Sequence, residues 1–270
     1  MTGPTHTATL ASRAALEEAL SSSGVDLVAL AEDLLAMAGT VNSSGTLRRA
    51  LADPAREGRD RAGLVDRLFA GRVGDAAQHV GRTVATQRWT DSLDLPIALE
   101  ELAVEAFLAN AQATGRLGRV EDELFRFQRI VAGDVDLQSA LTDPQAPAAA
   151  KGNMVKQLLR DKAAPETVRL AAHAVATRTE RFGRTIESYL RIAARRQQQV
   201  TAVVTSAAPL TEAQLDRLVT ALSRQYGRAV NANIVVDPTV IGGMRIEIGD
   251  EVIEGTISSR LDDARRRLSS

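Results

Sequence analysis

The stretch Asp237–Leu261, DPTVIGGMRIEIGDEVIEGTISSRL, decides the architecture of the C-terminal part of this chain. Gly242-Gly243 interrupts an apolar run, and strict alternation follows: Met244, Ile246 and Ile248 fall on one face of a strand, Arg245 and Glu247 on the other. Gly249-Asp250 turns the chain, and Val252-Ile253 returns as a second strand. Gly255-Thr256 opens a helix whose apolar positions Ile257, Leu261, Ala264 and Leu268 recur at helical spacing.

Upstream, the β-branched run from Val200 to Thr205 predicts a further strand, placed after the polar sequence Arg195-Arg196-Gln-Gln-Gln that ends a helix. Thr211 and Gln214 have the spacing of a capping box, and Leu210 and Leu215 that of a hydrophobic staple. Leu215, Leu218, Val219, Leu222 and Tyr226 then form one apolar stripe that stops at Gly227. Val230, Ala232, Ile234 and Val236 alternate with Asn231, Asn233 and Val235, which predicts a strand parallel to the first through the helical crossover and ended by Pro238. Residues 200–270 therefore read as a small α/β domain.

A chain of 270 residues has room for two or three cores. Hydrophobic residues reach 44% while aromatics are only 3%, so the cores are built from Ala, Leu, Val and Ile, which suits close helix packing. Before residue 200 the sequence is helical, and a shift of ninety positions aligns it with itself. Leu47, Leu51, Asp53 and Pro54 fall on Leu137, Leu141, Asp143 and Pro144, and the same shift pairs Ala19 with Ala109, Leu34 with Leu124, Val41 with Val131 and Val65 with Val155. Each copy predicts a small antiparallel bundle, since a helix with one apolar stripe must bury it against neighbours. Leu30, Leu34 and Met37 mark that stripe in the first copy, Leu124 and Phe127 in the second. In both, Asp-Pro ends a helix, because proline pushes the preceding residue out of the α region. The region Pro96 to Asn110 can close the first copy and open the second. The expected fold is mainly α: a duplicated N-terminal antiparallel helical bundle, 1–105 and 106–199, followed by the α/β domain 200–270.

Composition narrows the function. A formal charge of -1 gives no attraction to phosphates, so nucleic acid is not an expected partner. Absence of cysteine excludes disulfides and thiolate chemistry, and His6, His79 and His173 lack metal-ligand spacing, so neither a metal nor a cofactor is expected. The N-terminus has no basic segment leading into an apolar run, and no window approaches the roughly 18–20 apolar residues of a membrane span. A soluble, intracellular protein is expected, touching a membrane only through a partner.

The Gly-Gly signature and the module that begins TSAAPLTEAQL resemble the delta subunit of bacterial F-type ATP synthase, the family of the mitochondrial oligomycin-sensitivity-conferring protein. Most members of that family are shorter, with one helical bundle; the present chain is similar to longer actinobacterial forms. The resemblance implies a non-catalytic stator on the cytoplasmic face of the bacterial plasma membrane. There the bundle docks on the N-terminal segments of alpha subunits, and the C-terminal domain grips the b-subunit stalk. It also implies a docking groove beside the first helix of a bundle, hence Ala15, Leu16 and Ala19 in the first copy, or Phe107 and Leu108 in the second. Asp237, Gly242, Gly243 and Met244 are its structural signature.

The residues by themselves suggest no catalytic site. Gly242-Gly243 precedes a strand, whereas a phosphate loop leads into a helix, so the pair reads as a bulge or a close backbone approach. Asp250, Glu251 and Glu254 read as solvated hairpin charges, and Arg265-Arg266-Arg267 complements a helix C-terminus. Trp89 reads as a core aromatic, and His79 and His173 as helix residues with satisfied hydrogen bonds. The first 200 residues alone would equally suit a helical-repeat adaptor unrelated to ATP synthase; that alternative leaves the C-terminal domain unexplained.

Overall fold

In a computed structural model, eleven helices precede the first strand among the described residues, which are 3–177, 182–197, 200–226, 230–238, 240, 243–248 and 251–254. The helices are α1 (Pro4–Ser21), α2 (Leu27–Ser43), α3 (Gly45–Ala52), α4 (Gly58–Phe69), α5 (Asp75–Thr86), α6 (Asp94–Ala113), α7 (Leu117–Gly133), α8 (Val135–Thr142), α9 (Ala148–Leu159), α10 (Pro165–Ala176) and α11 (Phe182–Gln197). The chain divides into two compact units, with α1 to α11 in one and the α/β elements in the other.

The duplication is visible in the element boundaries. Adding ninety to both ends of α2, α3, α4 and α5 gives both ends of α7, α8, α9 and α10, and adding ninety to the start of α1 gives the start of α6. Local chemistry repeats with it. Ser44 caps α3 by accepting from the Leu47 N–H at 3.2 Å, and Asp134 caps α8 by accepting from the Leu137 N–H at 2.9 Å. Both Asp-Pro sites end their helices as expected, with Asp53 at ψ 112° and Asp143 at ψ 116°. Each aspartate also accepts from the N–H two residues on, Ala55 at 2.9 Å and Gln145 at 2.8 Å, which turns the chain toward the next helix.

Helix α6 belongs to both copies. Twenty residues long, it buries thirteen of them, from Leu95 to Ala111, and is apolar around most of its circumference. It packs on α2, α3 and α5 from the first copy and on α7 and α10 from the second. One hydrophobic cluster accordingly runs through both copies, from Ala8 in α1 to Ala193 in α11.

In the second unit, β1 (Val200–Ser206) and β2 (Val230–Val236) pair in parallel, connected by α12 (Glu212–Tyr226). β3 (Met244–Ile248) pairs antiparallel with β1 and with β4 (Glu251–Glu254), so the sheet order is β2-β1-β3-β4. The capping box forms: the Thr211 N–H donates to Gln214 Oε1 at 2.9 Å, and the Gln214 N–H donates to Thr211 Oγ1 at 3.4 Å. One sheet face, with Ala202, Val204, Val230, Ala232, Ile246 and Ile248, is buried with Leu222 in a separate cluster, and Leu215, Leu218, Val219 and Tyr226 pack against it. The alternation read from Met244 to Ile248 is thus the core-facing pattern of β3. The turn at Gly249-Asp250, the helix expected after Gly255-Thr256 and the arginines 265–267 lie outside the described residues.

Candidate interaction surfaces

Helix α1 is held to the bundle by Ala8, Ser12, Ala15, Leu16 and Ala19, spaced four, three, one and three residues apart, all buried. The candidate residues Ala15, Leu16 and Ala19 therefore face inward and form the underside of this helix. Its exposed positions are Pro4, His6, Thr7, Leu10, Ala14 and Glu18, of which Leu10, 54% exposed, is the large apolar one. α5 lies alongside, with His79 Nε2 3.8 Å from Glu18.

Phe107 and Leu108 are also buried, on α6. In the second copy α6 and α10 hold the places of α1 and α5, and they meet at Glu166. This carboxylate is 1% exposed and accepts from Asn110 Nδ2 and from Arg116 Nη2, both at 2.6 Å. Burial pushes its carboxyl up, but the bonds and charge of Arg116, a backbone hydrogen bond and the bond from Asn110 together outweigh that and hold it below the usual value. The α6/α10 pair carries α2 of the first copy: α2 packs along α6, and Glu32 of α2 binds Arg169 of α10 at 2.7 Å. The surface beside the first helix is consequently exposed in the first copy and covered in the second.

Charges missed by the sequence reading knit these helices together. Glu105 of α6 accepts from Arg13 Nε at 2.8 Å and lies 3.6 Å from Arg195, so α1 and α11 meet on one carboxylate of the shared helix. Burial raises its pKa, and the neighbouring arginines act against that rise. Asp33 of α2 accepts the Gly74 N–H at the start of α5, and its counterpart Glu123 of α7 accepts the Ala164 N–H at the start of α10, each at 2.8 Å. Both supply negative charge to a helix N-terminus from a neighbouring helix. Glu123 additionally accepts from Thr167 Oγ1 and Arg119 Nε at 2.7 Å; these bonds outweigh the upward push of burial and hold its pKa low. The ninety-residue shift, applied to acids as well as to apolar residues, would have picked out this pair.

The second copy also has an open groove of about 840 Å3 among α7 to α11, floored by Val131, Leu141 and Val175 with Thr142 and Lys151 at its edge. Phe182 stands on one wall, edge-on to Phe127 with ring centroids 5.7 Å apart. Nearby, His173 Nδ1 and the Tyr189 hydroxyl share a hydrogen bond of 2.7 Å. Burial lowers the histidine to about 4 and raises the tyrosine, so both are neutral at physiological pH. Trp89 is buried, and its indole N–H donates to the Val84 carbonyl at 3.0 Å.

In the α/β unit, Gly243 adopts φ +81°, the left-handed conformation that glycine reaches without strain. Met244 pairs with Ser206 at the start of β3, and the Asp237 N–H donates to the Ser206 carbonyl at 2.9 Å. Asp237, Gly243 and Met244 thus surround one strand end; Gly242 lies outside the described residues. Among the described residues no group of three or more His, Cys, Asp or Glu is placed to hold a metal, and no helix is long and apolar enough to cross a membrane.

A sequence model of the ATP synthase delta (OSCP) subunit matches residues 104–268, from the middle of α6 through the α/β elements. The chain belongs to this family. Among its relatives, the ATP synthase subunit delta of Kineococcus radiotolerans is 46% identical over 96% of this chain and 94% of its own length. That of Streptomyces avermitilis is 44% identical over 99% of this chain and 98% of its own. That of Nocardia farcinica is 40% identical over 96% of both. The family match begins inside the shared helix, so it covers the second copy and the α/β unit, while these relatives align across the first copy as well.

Proposed function

We propose that this delta subunit is the non-catalytic stator that ties the alpha subunits of the catalytic head to the b-subunit stalk, at the cytoplasmic face of the plasma membrane. Proton flow turns the rotor, and the head must be held against that torque for ATP to form. Binding energy, not bond chemistry, then carries the function. The supporting observation is the continuity of the relationship: proteins named as ATP synthase delta subunits align with both the helical and the α/β parts. A helical-repeat adaptor gives no reason for that alignment.

Within this reading, residues 1–105 and 106–199 are two docking modules sharing α6, and residues 200–270 hold the b subunit. An alpha N-terminal segment docks as an amphipathic helix against α1 and α5, where the surface is exposed, and not against the covered α6/α10 pair. Ala15, Leu16 and Ala19 support that face from beneath, Leu10 touches the segment, and Phe107 and Leu108 serve as core of the shared helix.

Titration of the full chain with a synthetic alpha N-terminal peptide tests this. Leu10→Arg is expected to weaken binding about tenfold or more, while Phe125→Arg, at an exposed position on α7, leaves it unchanged. The reverse pattern would move the docking face to the second copy. Absence of binding by the folded parent chain would sink the direct capture of alpha.

A further inference from the structure

Helix α11 is the last helix before the α/β elements: it ends at Gln197, and β1 begins at Val200. Any pull on the covalent chain from β1 therefore enters the helical unit at the C-terminal turn of α11. The buried face of α11 is Thr185, Ile186, Tyr189, Ile192, Ala193 and Arg196. Its apolar part repeats every turn, so burial, which is non-directional, discriminates weakly between one axial position of the helix and another a turn away. Directional contacts must set the register. Near the start of α11 these are neutral: Gln128 Nε2 donates to the Gly183 carbonyl at 3.1 Å, and Tyr189 shares its bond with His173.

At the end of α11 they are charges. Glu105, buried on α6, accepts from Arg13 Nε of α1 on one side and faces Arg195 Nη2 of α11 on the other. Arg13 Nη2 also lies 3.6 Å from Glu101. Arg196 is buried; its Nη1 donates to Glu17 of α1 at 3.2 Å, and its Nε has no acceptor among the described residues. Glu17 and Arg196 both act on the charge of Glu105, which makes the arginines and glutamates one network. The duplication did not supply it. Ninety residues before Arg195 and Arg196 stand Glu105 and Ala106, and the counterpart of Gln197 is buried Phe107, from which α6 runs on to Ala113 in the second copy. α11 stops where α6 continues, and it carries its two arginines at that point. Sliding α11 by one turn, about 5.4 Å, exceeds every ion-pair distance in the network, parts Arg195 from Glu105 and strands the buried guanidinium of Arg196.

We propose that Arg195 and Arg196, held by Glu105 and Glu17, latch the C-terminal turn of α11 to α6 and α1 and fix its axial register against pull from the chain of the α/β unit. Apolar burial gives the helix its affinity for the bundle; the ion pairs give it its place. That the latch carries torque rests on the stator reading; that it sets the register of α11 does not.

The two parts are tested separately on the full chain. Glu17→Arg and Arg196→Glu each place like charges at one contact, and each is expected to speed amide exchange of residues 190–197 about tenfold or more, with α2 and α5 unchanged. The swap, Glu17→Arg with Arg196→Glu, leaves the sum of charges around Glu105 as it was and is expected to bring exchange back to within about twofold of the parent. A side chain needed only for its packing is not rescued in this way. Spin labels at Ala14→Cys on α1 and Arg191→Cys on α11, exposed positions of a chain without cysteine, read the register itself. One narrow distance is expected in the parent and the swap, and a second or broadened distance in the single variants. The same distance in all four chains, or a swap that exchanges as fast as the single variants, overturns the latch. For torque, purified ATP synthase carrying each chain is compared. The single variants are expected to retain ATP hydrolysis and to lose proton-driven synthesis about threefold or more, with the swap restoring it. Equal synthesis by all four overturns the torque role. Failure of the parent chain to co-purify with the complex sinks the stator reading, and the spin-label distances still decide the latch.

Discussion

At the scale of single residues, the two copies act as controls for one another. Gly71, in the turn after α4, has φ +68°, and its counterpart Asp161 after α9 has φ +59°. Glycine adopts that conformation freely, whereas an L side chain pays for it in strain. Asp161→Gly is therefore expected to stabilise the chain by about 0.5 kcal/mol, read as a higher urea midpoint; a lower midpoint would contradict the equivalence. Two half-buried groups set opposing pH dependences. Burial raises Glu100 from 4.5 to about 7. Between those values the native chain holds more protons than the unfolded one, so this group lowers stability as pH rises through that window. Burial lowers His173 from 6.5 to about 4, so between 4 and 6.5 the unfolded chain holds more protons and stability rises with pH. The slopes oppose each other from about 4.5 to 6.5. Glu100→Gln removes the first. The variant is expected to match its parent at pH 4 and to exceed it at pH 8 by about 1–3 kcal/mol, with stability climbing through the histidine window. Equal denaturation midpoints at pH 8 would rule this out.

At the scale of elements, caps and the shared helix carry the order. α5 and α10 both begin on residues without a side-chain cap of their own, Gly74 and Ala164, and take a carboxylate from α2 and α7 instead. Glu123 accepts three side-chain or backbone donors where Asp33 accepts one at its counterpart site. Glu123→Ala is thus expected to cost about 2 kcal/mol and Asp33→Ala about 1 kcal/mol, compared by denaturant unfolding. Equal losses would mean that the extra bonds add nothing. Phe107→Ala, in the middle of α6, is expected to cost about 3–5 kcal/mol, because it empties a core used by both copies. The local signals for these helices were legible in advance: Asp53-Pro54 and Asp143-Pro144 as stops, Thr211 with Gln214 as a start, and the alternation from Met244 to Ile248 as a half-buried strand. The carboxylate caps were not legible, since each joins residues 41 positions apart in sequence.

At the scale of the whole molecule, the sequence by itself determined the helical class, the ninety-residue duplication and the parallel β-α-β unit, because each rests on periodicity or on turn chemistry within a few residues. Its family followed from the same local signature. Which surfaces remain for a partner was a tertiary outcome. Ala15, Leu16 and Ala19 were legible as one apolar stripe, but a stripe seats a helix in its own core as readily as it receives another chain. Packing decided that they face inward. Phe107 and Leu108 lie on a helix that serves two bundles, so neighbours from both sides remove them from solvent. The groove of the second copy likewise draws on five helices, α7 to α11: Val131, Leu141 and Val175 are apolar in the sequence, and packing sets them on one floor. Sequence records those identities; only the folded arrangement, in which distant helices bound a common volume, determines whether that volume is filled.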